Sequence, residues 1–376
     1  MSVTVLEAKT RSQMKKFVHF PNELYKHNKW YVPQVESMDL DTFNPRKNHA
    51  FDVCEAKFFL ALDDSGKVVG RVAAIVNHAY NAKVDEPICR FGWLDFIEDI
   101  EVLRALTGAV EDFAREHSLR TIIGPEGFLE FDVAGVLVEG FDKYPTAYGK
   151  YNDPYYDPMM TSLGFSKHMD WVEYRVDISG FDNEKNHRMA GIVAQRTGLH
   201  QASVTTHKDM LHYSDGIFQV MNHAYADIYG YTELTPGQLD DLRNQFISQA
   251  DPGLLSVILD EQDTVVAFMI WLPSLSKALQ KARGRIFPLG WVHILKALRH
   301  NDTADTLLIG IEPRYKGKGL IAMFFDKVYP RVAKIGIKYL ETTRELEVNN
   351  SVQNLSGKFP HSLDKRARCY SKTIEL

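Results

Sequence analysis

The sequence predicts a mixed α/β (α+β) fold built from two similar units, and three observations predict it. The chain has 376 residues, which is more than an average domain and enough for two. Short apolar runs alternate with longer segments whose apolar residues recur at helical spacing. The order of these elements repeats once along the chain. We therefore predict two units, each with a mixed, mostly antiparallel sheet flanked by helices.

The first unit is predicted from a hairpin and the elements that follow it. Two apolar, β-rich runs at residues 57–62 and 67–76 are separated by Asp63–Gly66, whose residue types favour a hairpin turn. Helix, strand, helix and strand then follow in that order, at residues 100–116, 121–123, 155–163 and 171–178.

A second copy of this order follows a polar segment at residues 179–187, which we take as the boundary between the units. Its hairpin turn, Asp260–Asp263, parallels the first. The predicted helices are 212–229, 235–249 and 320–334, and the predicted strands are 254–260, 264–271, 304–311, 337–343 and 366–374. The predicted domains therefore span residues 1–180 and 190–376. Two unrelated α/β domains are the alternative that this pattern allows.

Composition narrows the class of function. The net charge of −5 argues against a nucleic-acid partner. Cys54, Cys89 and Cys369 lie far apart and form no Cys-x-x-Cys pattern, which is typical of reduced thiols in a cytoplasmic protein. The chain becomes polar soon after residues 1–6, too soon for a secretion signal or a membrane span. Residues 1–6 are predicted to form a first strand. The 14 histidines show no ligand spacing, so we predict no metal site.

The most informative segment joins the strand at 304–311 to the helix at 320–334. It is basic and contains Gly317 and Gly319. At a helix N-terminus, unpaired amides and the helix dipole favour an anion, and glycines let the backbone approach it closely. A Walker loop needs Ser or Thr after Gly-Lys, and a dinucleotide fingerprint needs a third glycine, so neither spacing fits. We predict a phosphate-binding turn; an ordinary turn with solvated lysines is the alternative.

The spacing Arg-x-x-Gly-x-Gly, present as Arg314, Gly317 and Gly319, resembles the acyl-CoA pyrophosphate loop of the Gcn5-related N-acetyltransferase (GNAT) superfamily. Longer segments, among them Tyr151–Tyr156 and Met221–Tyr225, resemble a tandem-domain group that includes bacterial ceramide synthase-like N-acyltransferases. The resemblance implies two tandem GNAT domains. It also implies transfer of an acyl group from acyl-CoA or acetyl-CoA, as co-substrate, to a primary amine.

The resemblance further implies where the co-substrate binds. The strand at 304–311 is expected to splay from its neighbour at 337–343, so that its free amides bind the pantetheine arm. The first unit lacks the loop, and the turn predicted before its long helix, Phe91–Asp99, is acidic and would repel pyrophosphate. CoA is therefore expected on the second unit. The implied cofactor-binding residues are Ile309, Ile311, Arg314, Tyr315, Lys316, Gly317, Lys318, Gly319, Leu320 and Asn349.

Acyl transfer to an amine needs a proton acceptor, because a free alkylamine has a pKa of about 10. Glu341, Glu345 and Glu347 follow or end the strand at 337–343, and Glu347 is the preferred base. Tyr370 on the last strand is the predicted acid for the departing thiolate. For each of these residues an ordinary solvated side chain is the alternative. Two groups in a first-unit loop are second choices, Glu126 and Asp132.

Residues 264–301 contain basic side chains interleaved with aromatics and leucines, and no acidic residue. This pattern suits an anionic membrane surface or a lid over a long acyl chain. A helical insertion packed on its domain is the alternative. We expect a small-molecule or lipid amine as partner, no nucleic acid, and a cytoplasmic protein with peripheral contact at the inner membrane face.

Three functions stay open at this stage. The first is an acyl-CoA-dependent N-acyltransferase acting on a primary amine, with a long-chain, sphingoid-like amine as its sharpest form. The second is a small-molecule N-acetyltransferase that uses acetyl-CoA. The third is a non-catalytic acyl-CoA-binding protein.

Overall fold

The computed structural model describes residues 2–147, 149–247, 250–348 and 359–376. The strands are β1 (Thr4–Glu7), β2 (Cys54–Leu62), β3 (Val68–Asn77), β4 (Ile88–Phe96), β5 (Thr121–Gly124), β6 (Val136–Glu139), β7 (Ser166–Asp177), β8 (His200–Gln201), β9 (Leu255–Leu259), β10 (Val265–Pro273), β11 (Thr303–Ile311), β12 (Tyr339–Thr342), β13 (Glu345–Leu346) and β14 (His361–Thr373). The helices are α1 (Arg11–Leu24), α2 (Glu36–Thr42), α3 (His78–Val84), α4 (Ile100–Glu116), α5 (Tyr156–Ser162), α6 (Asn183–Thr197), α7 (His207–Tyr225), α8 (Pro236–Leu242), α9 (Ser276–Ala282), α10 (Gly290–Arg299) and α11 (Ile321–Ile335).

Within these residues the strands form a single 14-stranded mixed sheet. Its order is β1-β2-β3-β4-β5-β14-β7-β12-β11-β10-β9-β8, with β6 paired to β14 and β13 paired to β7. Most neighbours are antiparallel, as predicted, and the parallel pairs β4–β5 and β11–β12 occupy matching places in the two halves. The mixed, mostly antiparallel sheet is confirmed, but the two halves share it.

The sheet is continuous because the last strands of the two halves are exchanged. β7 is the last strand of the first half in sequence, yet it pairs with β12 of the second half, where Tyr339 lies opposite Asp177. β14 ends the chain, yet it pairs with β5 of the first half, where Tyr370 lies opposite Gly124. The predicted domain limits therefore describe order along the chain, whereas the sheet interleaves the two units.

Three of the helices that precede the two hairpins have clear start signals in the sequence. α1, α7 and α8 each begin with a capping box, in which a threonine hydroxyl accepts from the amide three residues later and that residue's side chain accepts from the threonine amide. Such a cap contributes about 1 kcal/mol to the helix. The three caps are Thr10, Thr206 and Thr235.

Helices cover both faces of the sheet. In the first half α4 buries Val102, Leu106 and Val110 against the strands. In the second half α11 buries Phe324 and Val328 on one face, together with α6, while α7 covers the opposite face. Each such side chain contributes about 1.5–3 kcal/mol on burial. No helix in the described part of the chain has the length and apolarity that a membrane span requires.

One prediction about an element was wrong. Residues predicted as an acidic turn, Phe91–Asp99, belong mostly to the buried strand β4. Asp95 is fully buried there because Arg71 and Lys150 neutralise it, at 2.8 and 2.7 Å. The polar segment at 179–187, which we take as the boundary between the units, contains the start of α6.

Candidate active site

The parallel strands β11 and β12 separate halfway along β11. They pair from Thr303 to Thr306, and the Thr343 hydroxyl donates to the Thr306 carbonyl at 2.8 Å where they part. β10 stays paired with β11 as far as Ile311. The Glu312 amide donates to Val266 of β10, so backbone alternation directs the amides of Ile309 and Ile311 to the opposite, open edge. The predicted splay is therefore present.

The turn from β11 to α11 has the geometry that its glycines predict. Gly317 and Gly319 have φ angles of 77° and 89°, in the left-handed region that favours glycine. A Cβ on Gly317 would meet no atom within 4 Å, so its backbone faces open space. Arg314 is held near the turn by an ion pair of 3.4 Å with Asp260.

This turn also presents hydrogen-bond donors and positive charge. Across the described residues, the amides of Gly317, Gly319 and Leu320 donate to no protein acceptor. The Lys318 ammonium lies over the Tyr315 ring, 4.8 Å from its centroid. α11 begins directly after the turn, so the helix dipole adds to these charges. The arrangement suits a pyrophosphate, and binding of CoA there stays a prediction.

An apolar pocket lies inside the splay, beside the first turns of α11. Its wall includes Thr306, Leu308 and Ile309 of β11 and Ile321 and Phe325 of α11. The remaining wall residues are Val176, Met269, Trp271, Leu340, Thr342, Glu345 and Phe359. The pocket therefore combines the open strand edge with a hydrocarbon-lined space.

Glu345 is the carboxyl group in the wall of this pocket. Its residue is 8% exposed, and burial raises the pKa of its carboxyl group to about 7, although the Thr342 hydroxyl hydrogen-bonds to it. No donor in the described part of the structure reaches its Oε2 atom. A carboxyl group that titrates near neutrality beside a reactive centre can accept a proton. Glu345 was one of three candidates in the sequence, although not the preferred one.

Glu347, the preferred base in the sequence, lies elsewhere. Its carboxylate pairs with Lys167 at 2.7 Å and approaches Arg366 at 3.5 Å, and it does not line the pocket. Alternation would put Glu345 and Glu347 on one face only if the strand continued, and β13 ends at Leu346. The geometry therefore moves the candidate base two residues towards the N-terminus.

The surroundings of Tyr370 do not suit an acid that protonates a departing thiolate. It is buried in the first-half core, because β14 pairs with β5 there, and its hydroxyl donates to Asp157. Burial and Asp157 raise its pKa well above the ordinary value. Strand exchange thus removes Tyr370 from the second-half splay, and the predicted role does not fit this position.

Glu126 ties the halves together. Its buried carboxylate pairs with Arg90 at 3.3 Å and accepts from the Tyr229 hydroxyl at 2.6 Å and from the Cys369 thiol at 3.3 Å. The carboxylate of Asp132, in the same loop, accepts hydrogen bonds from backbone amides. Neither lines the splay pocket. The last predicted site residue, Asn349, lies outside the described residues.

The sequence did not reveal a buried acidic cluster at the centre of the sheet. Strand register brings together Asp305 of β11 and Glu341 of β12, and it places Lys365 of β14 opposite Glu173 of β7. The Lys365 ammonium lies 2.7 Å from Asp364, 3.2 Å from Glu173 and 3.8 Å from Glu341. Only an acidic residue inside the apolar run of β11 could have signalled this cluster.

Carboxylates outnumber cations in the cluster. Arg175 pairs with Glu341, so within the described residues two cations face four carboxylates. Asp305 accepts from the Ala147 amide at 3.0 Å through Oδ2, while no described donor reaches its Oδ1. Burial, and then the charge of Glu341, raise the pKa of Asp305 to about 8. Because acidic groups outnumber cations there, the cluster would be stabilised by another cation.

The cluster borders a groove between the halves. Glu341 and Asp364 line it, whereas Thr342, the next residue on β12, lines the splay pocket. Successive strand residues point to opposite faces, so the groove and the pocket lie on opposite sides of one strand. The groove walls include Trp30, Tyr144, Lys277, Lys281, His293 and Lys296.

The first half has an equivalent splay, but side chains fill it. β4 and β5 pair in parallel only from Ile88 to Arg90. Beyond that point Lys150 donates to the Leu94 carbonyl at 2.6 Å. The Phe96 carbonyl accepts a hydrogen bond from the Tyr155 hydroxyl, and the Phe96 amide donates to the Tyr156 hydroxyl at 3.1 Å. Only residues 97–99 join β4 to α4, which leaves no phosphate turn.

Together, the repeated halves, the two splays and the glycine turn define a tandem GNAT fold. The chain is 12% identical to the solved tandem GNAT protein from the clavulanic acid biosynthesis pathway, with a TM-score of 0.58 over 100% of this chain and 99% of that one. No protein-family model matches the chain. The structural likeness confirms the predicted fold.

Two curated relatives are similar along nearly the whole chain. Bacterial ceramide synthase from Caulobacter vibrioides is 24% identical over 387 residues, covering 99% of this chain and 98% of that protein. Protein YghO from Escherichia coli is 24% identical over 377 residues, covering 97% of this chain and 94% of that protein. The predicted resemblance to the tandem GNAT group that includes ceramide synthase-like proteins is confirmed.

Proposed function

We propose that the chain is an N-acyltransferase that moves an acyl group from acyl-CoA to a primary amine, using the second-half splay. The observation that carries this proposal is the juxtaposition of three features: an open strand edge, a glycine turn at a helix start, and an apolar pocket with Glu345 in its wall. The name of the Caulobacter relative supports an amide-forming reaction on a lipid amine.

The residues present fit acyl-CoA as a substrate. The amides of Gly317, Gly319 and Leu320, with Lys318, would hold the pyrophosphate, and the open edge at Ile309 would hold the pantetheine arm. The apolar wall can accept hydrocarbon, which favours an acyl group longer than acetyl.

In the proposed reaction the amine nitrogen attacks the thioester carbonyl carbon, and the C–N bond forms as the C–S bond breaks. Amides on the open edge of β11 stabilise the negative charge that develops on the carbonyl oxygen. The ammonium ion loses one proton to solvent before the attack, because only the neutral amine has a free electron pair. Glu345 accepts the second proton as the C–N bond forms, and that proton passes to the thiolate as it leaves. Proton transfer of this kind contributes about 100- to 10,000-fold to a rate.

We propose that the amine approaches through the groove on the other face of β12. A primary amine arrives as an ammonium ion, and the acidic side chains that line the groove, Glu341 and Asp364, attract it. The basic wall formed by Lys277, Lys281 and Lys296 excludes a second cation and suits an acceptor with a polar, uncharged or anionic region.

The direct test is amide formation by the purified chain, measured by mass spectrometry with palmitoyl-CoA and sphinganine. We expect N-palmitoyl sphinganine and one free thiol per amide, and we expect both to form at least about 100-fold more slowly with Glu345→Gln. Amide formed from acetyl-CoA and water-soluble amines alone would identify a small-molecule acetyltransferase instead. CoA binding without thiol release on a broad amine panel would identify a non-catalytic binding protein and overturn the proposal.

A further inference from the structure

A cluster of large apolar side chains is exposed at the end of the α9–α10 insertion. Phe287 is 78% exposed and Leu289 is 68% exposed. Both lie in the turn between the helices, and the outer face of α10 continues the surface. We define the tip patch as Phe287, Leu289, Trp291, Val292 and Leu295.

The turn that carries the tip patch is braced rather than loose. The Trp291 amide donates to the Ile286 carbonyl, and its indole N–H donates to the Pro288 carbonyl, both at 2.8 Å. A Cβ on Gly284 would lie 2.4 Å from the Gln34 carbonyl oxygen, so the start of the turn packs closely on the first half. The exposed side chains are therefore held outward by their own backbone.

Positive charge surrounds the tip patch. Lys281, Arg283, Arg285, Lys296 and Arg299 are exposed on the same insertion, and residues 264–301 contain no acid. Two carboxylates from other elements come near cations of the insertion. Arg285 interacts electrostatically with Glu36 of α2, and Lys277 lies 3.8 Å from Asp302. The ring remains strongly positive on a chain whose net charge is −5.

We infer that the tip patch docks on an anionic phospholipid bilayer. Aromatic and aliphatic side chains ringed by lysine and arginine are what an interfacial membrane-binding element requires, because the apolar groups enter the headgroup region while the cations meet lipid phosphates. The basic ring argues against an apolar groove of another protein as the occupant, since such a groove offers no partner for its charges.

The same insertion forms one wall of the groove between the halves, through which we propose that the amine enters. Lys281 and Lys296 line that groove as well as flanking the tip patch, so docking would place the groove entrance at the bilayer surface. An amphiphilic amine could then pass from the membrane into the groove with its ammonium group leading towards Glu341 and Asp364. This role in delivery rests on the proposed function, whereas membrane docking itself does not.

Docking is tested by sedimentation of the full chain with vesicles of phosphatidylcholine alone or with one-third phosphatidylglycerol, without CoA or amine. We expect tight binding to the anionic vesicles only, weakened by 0.5 M salt as charge is screened. Leu289→Asp should weaken it at least tenfold. Leu211→Asp, at an exposed leucine on α7, is the matched control and should bind as the unchanged chain does.

A second measurement places the patch in the bilayer. Brominated lipids should quench part of the tryptophan fluorescence, and Trp291→Phe should remove that quenching while circular dichroism stays unchanged. Equal binding to both vesicle types, or normal binding by Leu289→Asp, would overturn the inference. Docking with no amide formation in any assay would leave the inference standing and count against the proposed function alone.

Discussion

The two halves of the chain share one topology but use the same splay in opposite ways. In the second half the strands part, and among the described residues the amides of Ile309 and Ile311 on the open edge of β11 have no acceptor, although the Tyr225 hydroxyl donates to the Ile309 carbonyl at 3.0 Å. A glycine turn follows. In the first half Lys150, Tyr155 and Tyr156 bond to the equivalent edge of β4, and three residues replace the turn. The difference teaches that a splayed sheet can either stay open beside a glycine turn or be closed by its own side chains.

Closure of the first splay contributes to the fold. Tyr156 is fully buried, and its hydroxyl lies 2.6 Å from the Tyr25 hydroxyl as well as accepting from Phe96. Asp95 neutralises Lys150 and Arg71 in the same region. The first half therefore supports the sheet that the second half opens, and β7 and β14 join the two.

The largest expected effect concerns Glu345, the carboxyl group in the wall of the second splay. Glu345→Gln should lower kcat about 100- to 10,000-fold with little change in CoA affinity, because it removes the proton acceptor and keeps the shape. Steady-state kinetics with free-thiol detection measure this.

Glu347→Gln is the matched control and should keep kcat within about threefold, since Glu347 lies outside the pocket. The rate of the unchanged chain should rise with pH until about 7, as the Glu345 carboxylate forms, and then level off. If Glu347→Gln abolished activity while Glu345→Gln did not, the base would be misassigned.

The next effect sharpens the structural role of the first splay. Tyr156→Phe leaves two buried partners without their hydrogen bonds and should lower the free energy of unfolding by about 1–3 kcal/mol. CoA affinity should not change. Urea denaturation and calorimetry measure the two quantities.

Tyr213→Phe is its control, because within the described residues the Tyr213 hydroxyl makes no hydrogen bond. We expect a loss below about 0.5 kcal/mol there. A Tyr156→Phe variant that lost CoA binding with full stability would mean that the first splay, rather than the second, holds the ligand.

A further effect concerns how stability depends on pH, through the acidic cluster between the halves. The folded-state pKa of Asp305, about 8, lies above its ordinary value of 3.8, so the folded state holds this proton more tightly. The stability that Asp305 contributes is thus complete at acidic pH and is lost as pH rises through about 8.

Asp305→Asn cannot titrate and should flatten this decline by at most about 1.4 kcal/mol per pH unit. Urea denaturation at intervals between pH 5 and 8 checks it. Asp227→Asn, at an exposed position on the surface, should keep the original slope. An Asp305→Asn slope as steep as that of the unchanged chain would contradict the burial of an uncompensated carboxylate.

Local patterns predicted much of the fold and the position of the turn. Hairpin turns and apolar periodicity are encoded within a few neighbouring residues, and the Arg314 to Gly319 spacing directly marked the helix start. β4 was missed because the partners of Asp95 are 24 and 55 residues away in the chain, so its charge looked like that of a turn.

The errors at the site have a similar cause. Whether Glu345 or Glu347 enters the splay depends on where β13 leaves β7, and the place of Tyr370 depends on strand exchange. Both are set by pairing between strands more than 150 residues apart in sequence. The acidic cluster arises in the same way, from four strands that no local pattern connects.

The central claim is that the second-half turn, and not the first half, binds acyl-CoA. Calorimetric titration with palmitoyl-CoA of the unchanged chain, Gly317→Glu and Gly66→Glu tests it most directly. Gly66 is the matched control because its φ of 78° and open surroundings equal those of Gly317, so both variants carry the same backbone strain and added charge.

We predict that Gly317→Glu weakens binding about 100-fold, equivalent to about 2.7 kcal/mol, because its carboxylate and Cβ occupy the phosphate position. Gly66→Glu should bind as the unchanged chain does. Equal affinity of all three proteins, or no binding by the unchanged chain, would contradict the assignment of the turn as the acyl-CoA site.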